Sequence, residues 1–235
     1  MAPETAIAAA AAEYELGLEH AAKGDLSSAV RSFKVALNLD PDATQARYDL
    51  ARTLATMGRL DEAVATFEDL IAQVPLFAAA HYECAVVCGQ LGRADKALEE
   101  YTRAVAVDQQ NPYANHHLGW ALVERGRAED GLVHLRRAAA LEPTWPQAFS
   151  ALGAALGRAR RWEEAAENHR RAIELEPDEV VHHHNLGEAL CELGDHEGAR
   201  RSFERAVALA PTDPKPRLWL AQAYQDLDRP EDAKE

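Results

Sequence analysis

Apolar residues recur along this chain with the spacing of amphipathic helices, and the helices recur with a spacing of their own. Leu186, Leu190 and Leu193 stand at i, i+4 and i+7, which puts them on one face of a helix. Ala199, Phe203 and Ala206 do the same for a second helix. Gly194 lies between the two stripes, and Gly24, Gly58, Gly92 and Gly126 hold equivalent places upstream. A glycine there closes one helix and turns the chain into the next. The pattern therefore predicts pairs of helices, each joined by a tight turn.

The pairs repeat. Pro41, Pro75, Pro143, Pro177 and Pro211 are separated by 34 residues or a multiple of 34, with Gln109 in the one vacant place. Five residues before this register stand Ala36, Leu70, Ala104, Ala138, Ala172 and Ala206. Twelve before it stand Ala29, Ala63, Ala97, Gly131, Ala165 and Ala199, and eight before it the larger Phe33, Phe67, Tyr101, Leu135, His169 and Phe203. Upstream, Leu16-Gly17, Leu50-Ala51, Cys84-Ala85, Leu118-Gly119, Leu152-Gly153 and Leu186-Gly187 keep the same phase. Small residues let helix backbones approach closely, the large residue fills the gap, and proline ends the second helix. Asn111-Pro112 and Asp213-Pro214 each place a capping side chain before a proline at the first helical position.

These columns resemble the tetratricopeptide (TPR) family, whose unit is a helix–turn–helix of 34 residues with small, large and proline positions at these offsets. The resemblance implies an all-α, right-handed superhelical solenoid. Repeats fall at 10–43, 44–77, 78–111, 112–145, 146–179 and 180–213, after an N-terminal extension 1–9 and before a partial seventh unit or capping helix at 214–235. The aromatic residue usual at the family's fourth position is mostly missing, the column being Glu13, Arg47, His81, Asn115, Phe149 and His183. Repeat three lacks the proline, and repeat five has Arg160 for the turn glycine. In the seventh unit Leu220, Tyr224 and Leu227 suit a first helix, whereas Arg229-Pro230-Glu231-Asp232-Ala233 opens a second that is not completed. The expectation is a piece of a longer protein, with a solenoid cap as the alternative.

Composition narrows the function classes. The net charge of −14, from 25 Lys and Arg against 39 Asp and Glu, argues against nucleic acid or anionic lipid as the main target. No apolar run approaches the roughly 18 residues of a membrane span, and Met1-Ala-Pro-Glu-Thr-Ala-Ile has neither a basic region nor a cleavage site for export. Three cysteines without an export signal do not suggest a disulfide framework, and Cys84 and Cys88 fall on core columns. The expected location is cytoplasmic.

Candidate chemistry is sparse. His184 and Glu188 at i, i+4 could grip a metal, but adjacent histidines in His182-His183-His184 point in different directions, and Ser150 and Ala154 hold the neighbouring places. No phosphate loop, nucleophile elbow or zinc-protease motif occurs, so no catalytic residue, metal or cofactor is expected. Asp61-Glu62, Glu129-Asp130 and Glu163-Glu164 suit the positive starts of second helices, with Arg136-Arg137, Arg170-Arg171 and Arg205 later on the same helices.

The resemblance leaves the concave groove, where first helices of TPR proteins contact partner peptides. Carried over position by position, it implies Tyr14, Tyr48, Tyr82, His116 and His184 at the fifth position, Asn185 at the sixth, and Arg52, Trp120 and Glu188 at the ninth. Trp120 flanked by Tyr82 and His116 would make an apolar anchor site. Glu15, Asp49 and Glu83 would make the first half of the groove acidic, favouring a protein or peptide segment that is apolar with basic flanks. The carboxylate clamp of chaperone-tail adaptors is incomplete, since only Asn185 and Lys215 match it. The expected function is a protein-interaction scaffold or adaptor. The alternative is a substrate-recruiting arm of a larger enzyme, such as an O-linked glycosyltransferase, although Asn185 is the only asparagine at the sixth position.

Overall fold

A computed structural model describes residues 3–226, in which there are thirteen α-helices and no strand. The chain divides into two compact units, Met1–Gln109 and Gln110–Glu235, and the border falls at the residue where the proline register is vacant. The first unit holds α1 (Pro3–Ala22), α2 (Leu26–Leu39), α3 (Thr44–Thr56), α4 (Leu60–Gln73), α5 (Ala78–Gln90) and α6 (Ala94–Val107). The second holds α7 (Pro112–Glu124), α8 (Ala128–Leu141), α9 (Pro146–Arg158), α10 (Trp162–Leu175), α11 (Val180–Glu192), α12 (His196–Leu209) and α13 (Pro214–Asp226). Helix α1 starts at Pro3, inside the stretch that the sequence sets apart as an extension. Leu227 and the Arg229–Ala233 motif lie outside the described residues.

One turn geometry joins each pair. In the α3–α4 turn the Gly58 N–H donates to the Ala55 carbonyl and the Arg59 N–H to the Leu54 carbonyl, both at 2.9 Å. This is the paired closure of a Schellman motif, which needs a left-handed residue at its centre. Gly24, Gly58, Gly92, Gly126 and Gly194 supply φ between 70° and 78°, and Arg160 takes φ 57° in the same place. Second helices stop two residues before the proline register, and α6 stops at the same point without a proline. Asn111 and Asp195 cap α7 and α12 by accepting from Ala114 N and Gly198 N, each at 2.9 Å.

The repeat columns form the core of each unit. Ala36, Leu70, Ala104, Ala138, Ala172 and Ala206 are all 0–1% exposed, and Phe33, Phe67, Leu135 and Phe203 are buried beside them. Glycine on a first helix makes room for the large residue: a Cβ on Gly187 would lie 2.4 Å from the Phe203 ring. Leu50, Cys84, Leu118, Leu152 and Leu186 are buried, whereas Leu16 is 41% exposed, since among the described residues no second helix precedes α1. Leu193 also departs from its expected stripe: α11 ends at Glu192, leaving Leu193 at the cap and exposed.

Charged residues mostly serve the repeat itself. Arg59, Arg127 and Arg161 precede a second helix and pair with Glu62, Asp130 and Glu164 in its first turn, at 2.5–2.8 Å. The later arginines are not in the last turn; Arg136 reaches Glu164 of the next hairpin at 3.1 Å and Arg205 reaches Asp178 at 2.8 Å. The fourth-position column explains its own departure from the family pattern. Arg47, His81, His183 and Arg217 each donate to the carbonyl of the register proline six residues earlier, Pro41, Pro75, Pro177 and Pro211, at 2.6–2.9 Å.

Candidate functional site

Within the second unit α9 touches α7 and α11 directly, and α11 touches α13, whereas second helices pack onto the first helices beside them. First helices therefore crowd together on one face, and in the first unit α3 and α5 approach in the same way. Each unit is described separately below.

In the first unit the fifth-position tyrosines lie on the large residue of the following helix: Tyr14 on Phe33, Tyr48 on Phe67 and Tyr82 on Tyr101, with ring centroids 5.9–6.1 Å apart. Part of each ring is thus committed to packing within its own hairpin. The Tyr14 hydroxyl donates to Asp49 at 2.9 Å, and burial followed by that carboxylate pushes its pKa up to about 12. Arg52 lies over the Tyr48 ring at 5.6 Å, with Glu83 at 3.8 Å and Asp49 at 4.0 Å. The acidic lining expected here is therefore partly balanced by Arg52. Burial raises the pKa of Glu83, against the pull of Arg52.

In the second unit a depression of about 530 Å³ crosses α9 between α7 and α11. Ser150, Ala151 and Ala154 of α9 form its floor because they are small. His116, His117 and Trp120 stand on the α7 side, Val181 and His182 on the α11 side, and Gln147, Glu176 and Glu179 at one end. The Trp120 indole N–H donates to Glu124 at 3.0 Å, and the Arg158 guanidinium lies 4.9 Å from its ring centroid. These two contacts fix the ring while leaving it part-exposed at the cavity wall. Beyond Trp120 and Ala154 a second cavity of about 300 Å³ is lined by Arg158, Trp162, His169, Asn185 and Glu188, among others.

The histidines differ in their surroundings. Trp145 covers His116 at 4.8 Å, and burial, aided by His117, pushes the His116 pKa down to about 4. His182 is 3% exposed and faces a Glu176 oxygen with Nε2 at 3.4 Å. Among the described residues neither His116 nor His182 has a partner for its Nδ1, and both atoms are covered by protein. His184 stacks on Trp219 at 3.8 Å and contacts Glu188 at 3.4 Å; burial, the larger effect, lowers its pKa. Among the described residues no three or more His, Cys, Asp or Glu side chains are grouped to hold a metal ion. Cys84 and Cys88 are buried free thiols with pKa values raised by burial.

The structure thus brings His116 and Trp120 together in one cavity, Trp120, Asn185 and Glu188 in a second, and His184 and Glu188 in a third of about 340 Å³. Tyr14, Tyr48, Arg52 and Tyr82 belong to the first unit, so the expected pairing of Tyr82 with Trp120 spans the two units and stays an expectation. Sequence reasoning missed Arg158, Trp145, Glu176 and Glu179. Arg158 had a signal: it lies one repeat and one helical turn beyond Trp120, hence over it on the neighbouring first helix.

Models of the tetratricopeptide repeat match residues 20–83 and 192–235, residues 78–111 and residues 112–137, together more than half of the chain. No curated protein matches. Among solved structures, PilF of Pseudomonas aeruginosa superposes with a TM-score of 0.74 at 16% identity, over 94% of this chain and 98% of that one. A tetratricopeptide repeat protein from Parabacteroides merdae gives 0.74 at 15% identity, over 96% and 89%. YrrB, described as a TPR protein with an unusual peptide-binding site, gives 0.73 at 19% identity, over 82% and 97%. At such identities the likeness bears on the fold. Helix pairs every 34 residues, closed by one recurring turn and matched by these repeat models, place this chain in the tetratricopeptide-repeat family of all-α helical solenoids.

Proposed function

We propose that this chain is a non-catalytic interaction scaffold that holds a segment of another protein against its first helices, within the six repeats 10–43 to 180–213. The observation that carries the reading is the open depression on α9, where small floor residues leave space beside a fixed, part-exposed Trp120. A large ring held by its neighbours loses little freedom on binding, which is what an interface anchor requires. His116 flanks that anchor, Asn185, His184 and Glu188 extend the contact surface, and Tyr14, Tyr48, Arg52 and Tyr82 offer a second one in the first unit. YrrB's peptide-binding site lends the reading support by likeness of fold. The net charge of −14 favours a segment that is apolar with basic flanks and disfavours nucleic acid. No described helix is long and apolar enough to cross a membrane, and the free, buried Cys84 and Cys88 suit a reducing cytoplasm.

Once a partner segment has been isolated with the intact protein, Trp120→Ala is expected to weaken its binding by roughly 1–3 kcal/mol with the helical content unchanged. Isothermal titration measures this directly. Full affinity in the folded variant would remove the depression from the interface.

A further inference from the structure

The depression on α9 combines a floor of small residues with two carboxylates that no Lys or Arg among the described residues neutralises. Glu176 accepts only from Gln147 at 3.3 Å and from His182 at 3.4 Å, and Glu179 accepts from the Val181 backbone N–H at 3.3 Å. Neither has a Lys or Arg partner among the described residues. The third carboxylate of the same connection, Asp178, is engaged by Arg205 at 2.8 Å. Electrostatic complementarity therefore asks for a positive charge at this end of the cavity.

His182 closes the same end of the depression: it is 3% exposed, and its Nε2–H faces the Glu176 carboxylate at 3.4 Å, which leaves that carboxylate without a full positive partner.

We propose that this depression receives an arginine side chain of the partner segment, its stem over Ser150, Ala151 and Ala154 and its guanidinium at Glu176 and Glu179. Arginine fits each part. Its methylene stem covers small residues and runs beside Trp120, and its planar fork of donors can serve two carboxylates together. A lysine head is a compact, strongly hydrated charge and meets fewer of these acceptors. The inference rests on the reading above that the first-helix face holds a partner segment.

A random ten-residue peptide library displayed on phage, selected on the intact protein, tests it. Selected peptides are expected to share one arginine, and its replacement by alanine in the synthetic peptide should weaken binding about tenfold or more. The double variant Glu176→Gln, Glu179→Gln should weaken the arginine peptide comparably and leave the alanine peptide unaffected. Glu167→Gln, at an exposed carboxylate outside the cavity, should change nothing. Because Glu179 also caps α11, Ser150→Leu serves as a second variant that fills the floor and removes no charge, and it should abolish the arginine preference. Absence of arginine enrichment, lysine in its place, or arginine peptides indifferent to the two glutamates would overturn the proposal. If peptides lose affinity with Trp120→Ala yet ignore the glutamates, only the arginine assignment fails; if they ignore Trp120 as well, the groove reading fails with it.

Discussion

His81 is buried at 3% exposure, yet both of its ring nitrogens are used. Nε2–H donates to the Pro75 carbonyl at 2.9 Å, and Nδ1 lies 2.6 Å from Glu100, which also accepts from Arg103 at 3.0 Å. A family aromatic at this position would fill the same space but leave the Pro75 carbonyl and one Glu100 oxygen without this donor. The expected consequence is that His81→Leu costs roughly 2–4 kcal/mol, because the buried Glu100 carboxylate keeps only Arg103 as a partner. Urea unfolding followed by circular dichroism measures it, and a loss below about 0.5 kcal/mol would show that water or a neighbour takes over. The same polar column is visible in the sequence only as a departure from a pattern. Its purpose is not, because the carbonyl each side chain meets belongs to a loop whose path no periodicity describes.

Each hairpin turn is a local element whose chemistry the sequence states openly: five glycines in one phase, and Arg160 where the sixth should be. The structure keeps Arg160 left-handed at φ 57°, so the Schellman hydrogen bonds, Arg160 N to Gly157 O and Arg161 N to Leu156 O, form at 2.9 Å despite the Cβ. A non-glycine residue there carries a strain of about 1 kcal/mol. Arg160 is exposed, so Arg160→Gly should remove the strain and raise stability by about that amount, read as a higher denaturation midpoint at unchanged slope. A lower midpoint would mean that the arginine contributes more through its side chain than its backbone costs. Helix starts, stops and buried columns are legible at this scale because they follow from short-range spacing. The exposed Leu193 and the mid-helix arginines are not, since they depend on where a helix ends and on what the next hairpin presents.

For the molecule as a whole, buried histidines tie stability to pH. Burial pushes His116 and His169 down to about 4, with nearby histidines adding to the effect. Between that value and about 6.5 the unfolded chain binds protons that the folded one does not. Stability is therefore fully present above pH 6.5 and falls as the pH drops toward 4, by on the order of 2–3 kcal/mol for each ring. Phenylalanine suits the place of His169, since Gly187 and Gly17 lie against Phe203 and Phe33 as Gly153 lies against His169. His169→Phe should thus flatten the fall in melting temperature between pH 6.5 and 4.5, and an unaltered slope would assign the acid response to other groups. Of the candidate site, Trp120 is legible because it occupies a column with a known direction. Glu176 and Glu179 come from a connection between hairpins, and the space beside Trp120 exists because Ser150, Ala151 and Ala154 are small, which no single column announces.

The side chains that reach back to the register prolines also bear on how such a chain can be divided. A unit counted in the usual way ends at residue 43, 77, 179 or 213, yet Pro41 and Arg47, Pro75 and His81, Pro177 and His183, and Pro211 and Arg217 straddle those boundaries. A piece excised at 179, for example, keeps the Pro177 carbonyl and discards the imidazole that satisfies it. The natural seam for transplanting or shuffling units lies ahead of the proline, so that loop and donor travel together as one cassette.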